Sequence, residues 1–168
     1  MNNDPKLSIQ KLQSHHNKSS FKSGESSLDN YIQQHASQDI KRNLCKVYVA
    51  TNGLDSSDIL GYYSLSSLSI ACKKLPPDIA KKLPRYPIPA VLLGRLAVSQ
   101  SIQKNGIGEL LLVDAIKRVK TIDQIGIYAM IVDALNMNVV PFYLKYGFSY
   151  LEANSTQLFL PLKSFNKK

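Results

Sequence analysis

The sequence Gln103-Lys104-Asn105-Gly106-Ile107-Gly108 decides the fold, because a strand pattern precedes it and a helix pattern follows it. Ala90 to Val98 is an almost uninterrupted apolar run, which predicts a buried strand, and apolar residues recur at helical spacing from about Ile107 onward. A turn between two such elements exposes backbone N–H groups at a helix N-terminus, where they bind phosphate. Gly106 and Gly108 leave room for a ligand to approach the backbone. The pattern predicts a pyrophosphate cradle, and an ordinary strand-to-helix turn is the alternative.

The composition indicates a reduced protein of one domain. The chain has 168 residues, which suits a single domain over residues 1–168. It contains no apolar run of transmembrane length and no signal-peptide pattern, and its two cysteines lack the spacing of a metal site or a disulfide framework. We therefore expect a cytoplasmic protein with no metal and no membrane partner. The adjacent His15 and His16 lie in a polar stretch and predict a solvated turn.

Part of the net charge of +9 is concentrated in a proline-rich segment, residues 73–89, here called the basic loop. Five of the eight prolines fall in it, which predicts a stiff loop with one short helical turn near Asp78 to Lys82. Its basic residues are Lys73, Lys74, Lys81, Lys82 and Arg85. Clustered positive charge is typical of a nucleic-acid-binding surface, and a merely solvated loop is the alternative. Arg95, in the strand that follows, is a sixth candidate for nucleic-acid binding.

The remaining patterns predict an α/β domain with a mixed central sheet flanked by helices. Further strands are expected at residues 7–12, 46–51, 59–71, 129–135, 150–151 and 157–162. Ser26 and Asp29 have the spacing of a capping box, which predicts that Ser26 caps the first helix. A later helix is expected to be capped by Asn138, to carry Pro141 in its first turn and to end at Gly147.

A second segment, Asn136 to Phe148, adds a motif to the strand–turn–helix pattern. The two segments together resemble the GCN5-related N-acetyltransferase (GNAT) family, which carries R/Q-x-x-G-x-G/A followed by N-x-x-A-x-x-F-Y-x-x-x-G-F. The residues that fit are Gln103, Gly106 and Gly108 in the first motif, and Asn136, Phe142, Tyr143, Gly147 and Phe148 in the second. Val139 stands where the family usually has Ala. The resemblance implies the GNAT fold and acetyl-CoA as the acetyl donor.

The resemblance also implies a role for each motif. The strand backbone at Leu96, Ala97 and Val98 would hold the pantetheine arm and the acetyl carbonyl. The residues of the turn, Gln103, Lys104, Asn105, Gly106, Ile107 and Gly108, would bind the pyrophosphate, and Asn136 would contact the arm. Tyr143 would be the general acid that protonates the departing thiolate, since an ordinary phenol, with a pKa of about 10, keeps its proton at neutral pH. A packing role beside Phe142 and Phe148 is the alternative.

The strand Ala90 to Val98 contains no acidic residue, whereas many lysine-directed GNAT enzymes have a Glu on the central strands as a base. A lysine amine, with a pKa of roughly 10.4, benefits from such a base, but an α-amine, at roughly 7.7–8.0, is already partly neutral. An ester lowers the α-amine pKa further. The sequence therefore favours an α-amine carried on a polyanion, with Asp133 or a water chain as the alternative source of a base.

Three further segments are similar to the toxin acetyltransferases of type II toxin–antitoxin modules. Phe21 to Asp29 is similar to their F-x-C-G-x-x-x-L-D opening, residues 83–89 to L-P-x-Y-P-x-P, and residues 92–98 to L-L-x-R-L-A-V. This resemblance implies acetylation of aminoacyl-tRNA, arrest of translation, a ribbon-helix-helix antitoxin as partner and a homodimer. The departures from the pattern are Ser23 for Cys, Ser99 for Asp, and Val139 with Pro141 in the second motif.

Three functions remain open on the sequence. The first is an N-acetyltransferase toxin that modifies aminoacyl-tRNA. The second is a GNAT acetyltransferase of a protein or small-molecule amine. The third is a nucleic-acid-binding module that keeps the fold and has lost catalysis.

Overall fold

A computed structural model describes residues 6–165, and these contain a mixed seven-stranded sheet. The strands are β1 (Leu7–Lys11), β2 (Lys46–Asn52), β3 (Gly61–Ile70), β4 (Ile88–Val98), β5 (Ala129–Asp133), β6 (Ser149–Tyr150) and β7 (Gln157–Pro161). They are hydrogen-bonded in the order β1-β2-β3-β4-β5-β7-β6. The pair β4–β5 is parallel, and β1–β2, β2–β3, β5–β7 and β6–β7 are antiparallel. The predicted α/β class is confirmed.

Helices within the described range flank the sheet. They are α1 (Ser26–Asn30), α2 (Ala36–Lys41), α3 (Pro77–Ala80), α4 (Ile107–Lys120) and α5 (Val140–Lys145). A π-helical turn, Tyr31–His35, joins α1 to α2. The α4 helix begins at the predicted residue and buries Leu111, Leu112, Ala115 and Ile116 completely. No helix among the described residues is long and apolar enough to cross a membrane.

One compact unit comprises the residues up to Leu65 together with Arg95–Lys117. Its core residues are Phe21, Tyr31, Ile32, Ala36, Val47, Val49, Ile59, Tyr62 and Ala97. The Tyr62 hydroxyl donates a hydrogen bond to the Leu28 carbonyl at 2.6 Å, which joins β3 to α1. A Cβ on Gly61 would lie 2.8 Å from the Ala97 carbonyl oxygen, so only glycine allows this close approach to the end of β4.

The other compact unit comprises Ser66–Gly94 and the chain from Arg118 onward. Its core residues are Ile70, Cys72, Leu75, Ile88, Ala90, Ile131, Leu151 and Phe159. Cys72 and Leu75 carry the start of the basic loop into this core. The basic loop is therefore packed at its base rather than free in solvent.

The first helix starts differently from the prediction. Glu25 occupies the N-cap position and makes no side-chain cap hydrogen bond. Asp29 instead reaches back beyond it, where its Oδ1 accepts hydrogen bonds from the Ser23 N–H at 2.8 Å and the Ser23 hydroxyl at 2.6 Å. The prediction that Ser26 is the cap was wrong, because the side chain that pairs with Asp29 lies three residues earlier.

The start of α5 also differs. Val139 is at the N-cap position, so the prediction that Asn138 caps this helix was wrong. The polar side chain that orders the preceding turn is that of Asn136, whose Oδ1 accepts the Asn138 N–H at 2.9 Å. Gly147, with a φ of +95°, follows the end of the helix as predicted.

His16 is buried, with only 3 % of its surface exposed, so the prediction of a solvated turn was wrong for this residue. Its Nδ1 accepts the Gln13 N–H at 2.9 Å. The Asn17 N–H donates to the Ser57 carbonyl at 2.8 Å, which docks the segment against a distant part of the chain. Local polarity could not indicate this burial, because a long-range contact produces it.

Candidate active site

The loop between β4 and α4, Gln103 to Gly108, is here called the phosphate loop, and it is open to solvent. Residues 103–106 are exposed, and a Cβ on Gly106 would meet no other atom within 4 Å. Gly106 has a φ of +82°, and Lys104 also has a positive φ, of +67°. The Leu110 N–H donates to the Gly106 carbonyl at 3.1 Å, which places Gly106 at the start of the helical hydrogen bonding of α4. This arrangement suits an anion that approaches the backbone.

Gln103 fixes the shape of the phosphate loop. Its side-chain amide donates hydrogen bonds to the Ser23 carbonyl at 2.6 Å and to the Val98 carbonyl at 3.0 Å. The Gln100 N–H donates to the Lys22 carbonyl at 2.8 Å, which adds a backbone link to the same segment. Because the Gln103 side-chain amide donates to two protein carbonyls, Gln103 supports the loop. Contacts to a phosphate would then come from the loop backbone.

Ser23 and Asp29 are the residues that sequence reasoning missed at this site. Ser23 is buried, and its N–H and hydroxyl are held by Asp29 while its carbonyl accepts from Gln103. A chain of hydrogen bonds therefore runs from α1 to the phosphate loop. The F-x-C-G-x-x-x-L-D pattern contains both residues and was the signal that could have revealed them.

The last three residues of β4 are Leu96, Ala97 and Val98. Ala97 is buried at 4 % exposure, whereas Leu96 and Val98 are half-buried. The Ser99 N–H donates to the Leu60 carbonyl at 2.8 Å, which fixes the end of the strand. That Leu96, Ala97 and Val98 hold a pantetheine arm stays a prediction.

Tyr143 lies in α5 and is buried at 6 % exposure. Its ring contacts Phe142 and Phe148 edge to face, with centroids 5.1 and 5.6 Å away. Burial raises the pKa of Tyr143 to about 12, because the phenolate form would lose its hydration. The hydroxyl therefore keeps its proton across the physiological pH range.

Arg95 is half-buried in the unit that contains the phosphate loop. Its guanidinium carbon lies 3.5 Å from the centre of the Tyr31 ring, in cation–π geometry. The Tyr31 hydroxyl lies 3.2 Å from Asp39 Oδ2 and 3.1 Å from Cys45 Sγ. The stacking holds Arg95 in a defined position, and its contact with nucleic acid stays a prediction.

The basic loop belongs to the other unit. A single helical turn, α3, forms at Pro77–Ala80, close to the predicted position. All five predicted cations, Lys73, Lys74, Lys81, Lys82 and Arg85, are exposed. Their contact with nucleic acid stays a prediction.

Asp133 is the alternative source of a base that the sequence indicates. Asp133, at the end of β5, is exposed and accepts a hydrogen bond from the Thr156 hydroxyl at 3.0 Å. Among residues 6–165, no cluster of three or more His, Cys, Asp or Glu side chains could hold a metal ion.

Comparison with known proteins identifies relatives over nearly the whole chain. The model of an acetyltransferase (GNAT) domain matches residues 89–160. A tRNA-acetylating toxin of Mycobacterium tuberculosis is 34 % identical over 145 residues, which cover 86 % of this chain and 85 % of that protein.

Solved structures agree with this match. A Tyr-to-Phe variant of KacT superposes with a TM-score of 0.88 and 32 % identity, covering 94 % of this chain and 96 % of that one. AtaT in complex with acetyl-methionyl-tRNAfMet gives a TM-score of 0.86 and 30 % identity, covering 95 % and 96 %. AtaTR bound with acetyl-CoA, an AtaT variant bound to the C-terminus of the antitoxin AtaR, and a KacTA–DNA complex give TM-scores of 0.81, 0.79 and 0.78.

The strand–turn–helix geometry, the Asn136 to Phe148 segment and these similarities lead to one assignment. With 34 % identity to a relative across 86 % of its length, the chain belongs to the GNAT acetyltransferase family.

Proposed function

We propose that this chain is a toxin that transfers the acetyl group of acetyl-CoA to the α-amine of an aminoacyl-tRNA and so blocks translation. The observation that carries the proposal is the open phosphate loop at the N-terminus of α4. The names of the relatives support the acceptor, since the Mycobacterium tuberculosis protein is a tRNA-acetylating toxin and AtaT was solved with acetyl-methionyl-tRNAfMet.

The donor would be held mainly by backbone groups. Acetyl-CoA supplies an acetyl group activated as a thioester, and its pyrophosphate needs N–H donors and space. Residues 106–108 lie at the N-terminus of α4, where backbone N–H groups bind anions, and a Cβ on Gly106 would meet no other atom within 4 Å. Leu96, Ala97, Val98 and Asn136 would hold the arm.

Tyr143 would act as the general acid. Its raised pKa keeps the phenol protonated at neutral pH, so the hydroxyl can donate to the departing sulfur. Its two aromatic neighbours fix the ring, which limits where the proton can be delivered.

The nucleophile would need little help from a base. The α-amine of an aminoacyl ester is substantially neutral near pH 7, and β4 carries no acidic side chain. A lysine side chain would have to lose a proton at a much higher cost. The absence of an acid from β4 therefore supports an α-amine acceptor.

The basic loop would bind the phosphates of the tRNA acceptor arm. Its five cations are exposed and fixed to a packed base. Each neutralised phosphate adds salt-dependent affinity through counterion release. Arg95 is a weaker candidate, since its guanidinium is stacked on Tyr31.

We also propose that the protein is cytoplasmic, has a single domain and forms a homodimer. Its partner would be a ribbon-helix-helix antitoxin. The complex of an AtaT variant with the C-terminus of AtaR supports an antitoxin partner. The KacTA–DNA complex supports a toxin–antitoxin pair that engages DNA.

Labelled acetyl-CoA and bulk aminoacylated tRNA test the proposal. We expect label on the charged tRNA, released by mild base as an N-acetyl amino acid, and none on deacylated tRNA. Label on proteins or free amines alone would favour the second function, and no transfer to any acceptor would favour the module without catalysis. Growth arrest on expression, relieved by a protein encoded next to the gene, would test the toxin role.

A further inference from the structure

The basic loop borders an open cavity that the proposed phosphate contacts do not explain. The cavity has a volume of about 700 Å³ and lies within residues 71–87. Pockets of roughly 300–1,000 Å³ are the size that holds small organic groups. A loop that bound only backbone phosphates would need charges on its surface and no cavity.

The inner wall of the cavity is apolar. Cys72 and Leu75 are buried, Ala80 is half-buried, and Pro77, although exposed, also lines the cavity. The Cys72 thiol donates to the Ala80 carbonyl at 3.6 Å, which ties the wall to α3. Because Cys72 and Leu75 also belong to a core, the cavity is part of the packed structure.

The outer wall carries positive charge and an exposed aromatic ring. Lys73, Lys81 and Arg85 line it, and none of the described residues that line the cavity is acidic, although Asp78 lies in α3 between two of them. Tyr86 also lines it and is 64 % exposed. A flat apolar ring beside several cations is the combination that binds an unpaired nucleotide, with the base stacked and the phosphates neutralised.

We propose that the cavity lined by Leu75, Ala80, Lys73, Lys81, Arg85 and Tyr86 binds an unpaired nucleotide of the RNA substrate. The inference rests on the proposed function, in which the amine is esterified to the single-stranded 3′ end of a tRNA. The base lies against the Tyr86 ring and the apolar wall, and the three cations neutralise the adjacent phosphates. An apolar segment of a partner protein would use the same wall, but it would gain nothing from the three cations.

The basic loop contains its own matched controls. Lys81 lines the cavity whereas its neighbour Lys82 does not, although both are exposed lysines. Tyr86→Leu keeps an apolar side chain and removes the aromatic face, and Tyr86→Phe keeps the face and removes the hydroxyl. Since Tyr86 is exposed, both variants should fold, and thermal unfolding checks this.

The test measures binding of the full chain to two RNA hairpins that share one duplex stem, one blunt and one with unpaired 3′ nucleotides. Wild type should bind the overhang more tightly. Tyr86→Leu should weaken overhang binding by roughly 5- to 150-fold, the range that corresponds to loss of one base–aromatic stack, with blunt binding unchanged. Tyr86→Phe should bind the overhang hairpin about as tightly as wild type does. Lys81→Ala should reduce the difference in affinity between the two hairpins more than Lys82→Ala does.

Equal binding of the two hairpins by wild type, or wild-type overhang affinity in Tyr86→Leu, would overturn the inference. The second result would also be expected if the cavity holds a protein segment. Because these measurements use uncharged RNA and no acetyl-CoA, they are independent of the acetyl-transfer assay. Failure of this inference and failure of the proposed acetylation of aminoacyl-tRNA can therefore be told apart.

Discussion

The phosphate loop and the basic loop are both proposed to meet phosphate, yet they are held in place by different forces. Directional hydrogen bonds hold the phosphate loop, through the Gln103 side chain and the carbonyls of Ser23 and Val98. Prolines and apolar packing hold the basic loop. The buried polar residues within the described range, His16, Ser23, Thr51 and Ser64, all belong to the unit of the phosphate loop.

The difference follows from how each loop would recognise phosphate. Backbone N–H groups bind an anion only within hydrogen-bond distance, so the loop that carries them needs an accurate shape. Lysine and arginine charges act over several ångströms on flexible side chains, so a stiff support is sufficient. Mutations in the phosphate loop, in the basic loop and at Tyr143 should therefore affect acetyl-CoA binding, tRNA binding and the acetyl-transfer step separately.

The largest effect is expected from a variant that leaves both loops unchanged. Tyr143→Phe keeps the edge-to-face packing and removes only the phenolic proton. Turnover should fall by roughly 10²–10⁴-fold, while acetyl-CoA and tRNA affinities stay close to wild type. Single-turnover kinetics and calorimetry measure the two quantities. Near-normal turnover would leave Tyr143 with a packing role, and Tyr150→Phe controls for loss of a tyrosine hydroxyl elsewhere.

The next largest effect concerns the basic loop. Lys81→Ala, Lys82→Ala and Arg85→Ala together should weaken tRNA binding by roughly 100-fold at low salt. The log–log salt slope should become shallower by about one unit for each phosphate that the variant no longer neutralises. Acetyl-CoA affinity should not change.

Three lysines elsewhere provide the control for charge. Lys6→Ala, Lys11→Ala and Lys41→Ala remove the same net charge from exposed positions outside the basic loop. If both triple variants bind tRNA equally weakly, net charge attracts the RNA and the basic loop has no special role.

The contrast between the loops also explains what the sequence could predict. The β4–turn–α4 unit was predictable because its signals are local: an apolar run, a glycine-spaced turn and a helical stripe. The link between Gln103 and Ser23 was not, since it joins residues 80 positions apart in the chain. The same limit explains His16, whose burial depends on a distant segment.

Within helices, local signals also failed where several residues could have played one role. Ser23, Glu25 and Ser26 all precede a helical stripe, and only the three-dimensional structure shows that Ser23 pairs with Asp29. The π-helical turn Tyr31–His35 has no signature distinct from an α-helix in its apolar spacing. The basic loop was predicted as stiff and charged, but its cavity depends on how Cys72 and Leu75 pack.

A third prediction tests whether the phosphate loop binds through its open backbone. Asp and Asn have nearly the same shape and both tolerate a positive φ, so Gly106→Asp and Gly106→Asn differ chiefly in charge. Acetyl-CoA should bind at least about tenfold more weakly to Gly106→Asp than to Gly106→Asn, because the carboxylate repels the pyrophosphate. Calorimetry measures the affinities.

Gly53 provides a second control for this pair. It has a φ of +87°, and a side chain placed there would meet no atom within 4 Å of its Cβ, as at Gly106. Gly53→Asp should therefore reproduce the conformational cost without affecting acetyl-CoA affinity. Equal affinities of the two Gly106 variants would move the donor site away from this loop.

The smallest expected effect is on stability, and it arises from the buried polar groups that distinguish the unit of the phosphate loop. Burial, and then the charge of His15, lowers the pKa of His16 below its ordinary value. The His16 Nε2 has no hydrogen-bond partner within residues 6–165. Below a pH of about 6.5, the unfolded chain takes up a proton that the folded chain still excludes, so the free energy of unfolding should fall as the pH falls. One such group contributes at most about 1.4 kcal/mol per pH unit.

Denaturant unfolding between neutral pH and the folded-state pKa should show a shallower pH dependence in His16→Gln than in wild type. His35→Gln, at an exposed position, controls for the loss of a histidine as such. Equal pH dependence in His16→Gln and wild type would mean that the buried ring is not what makes this unit sensitive to acid.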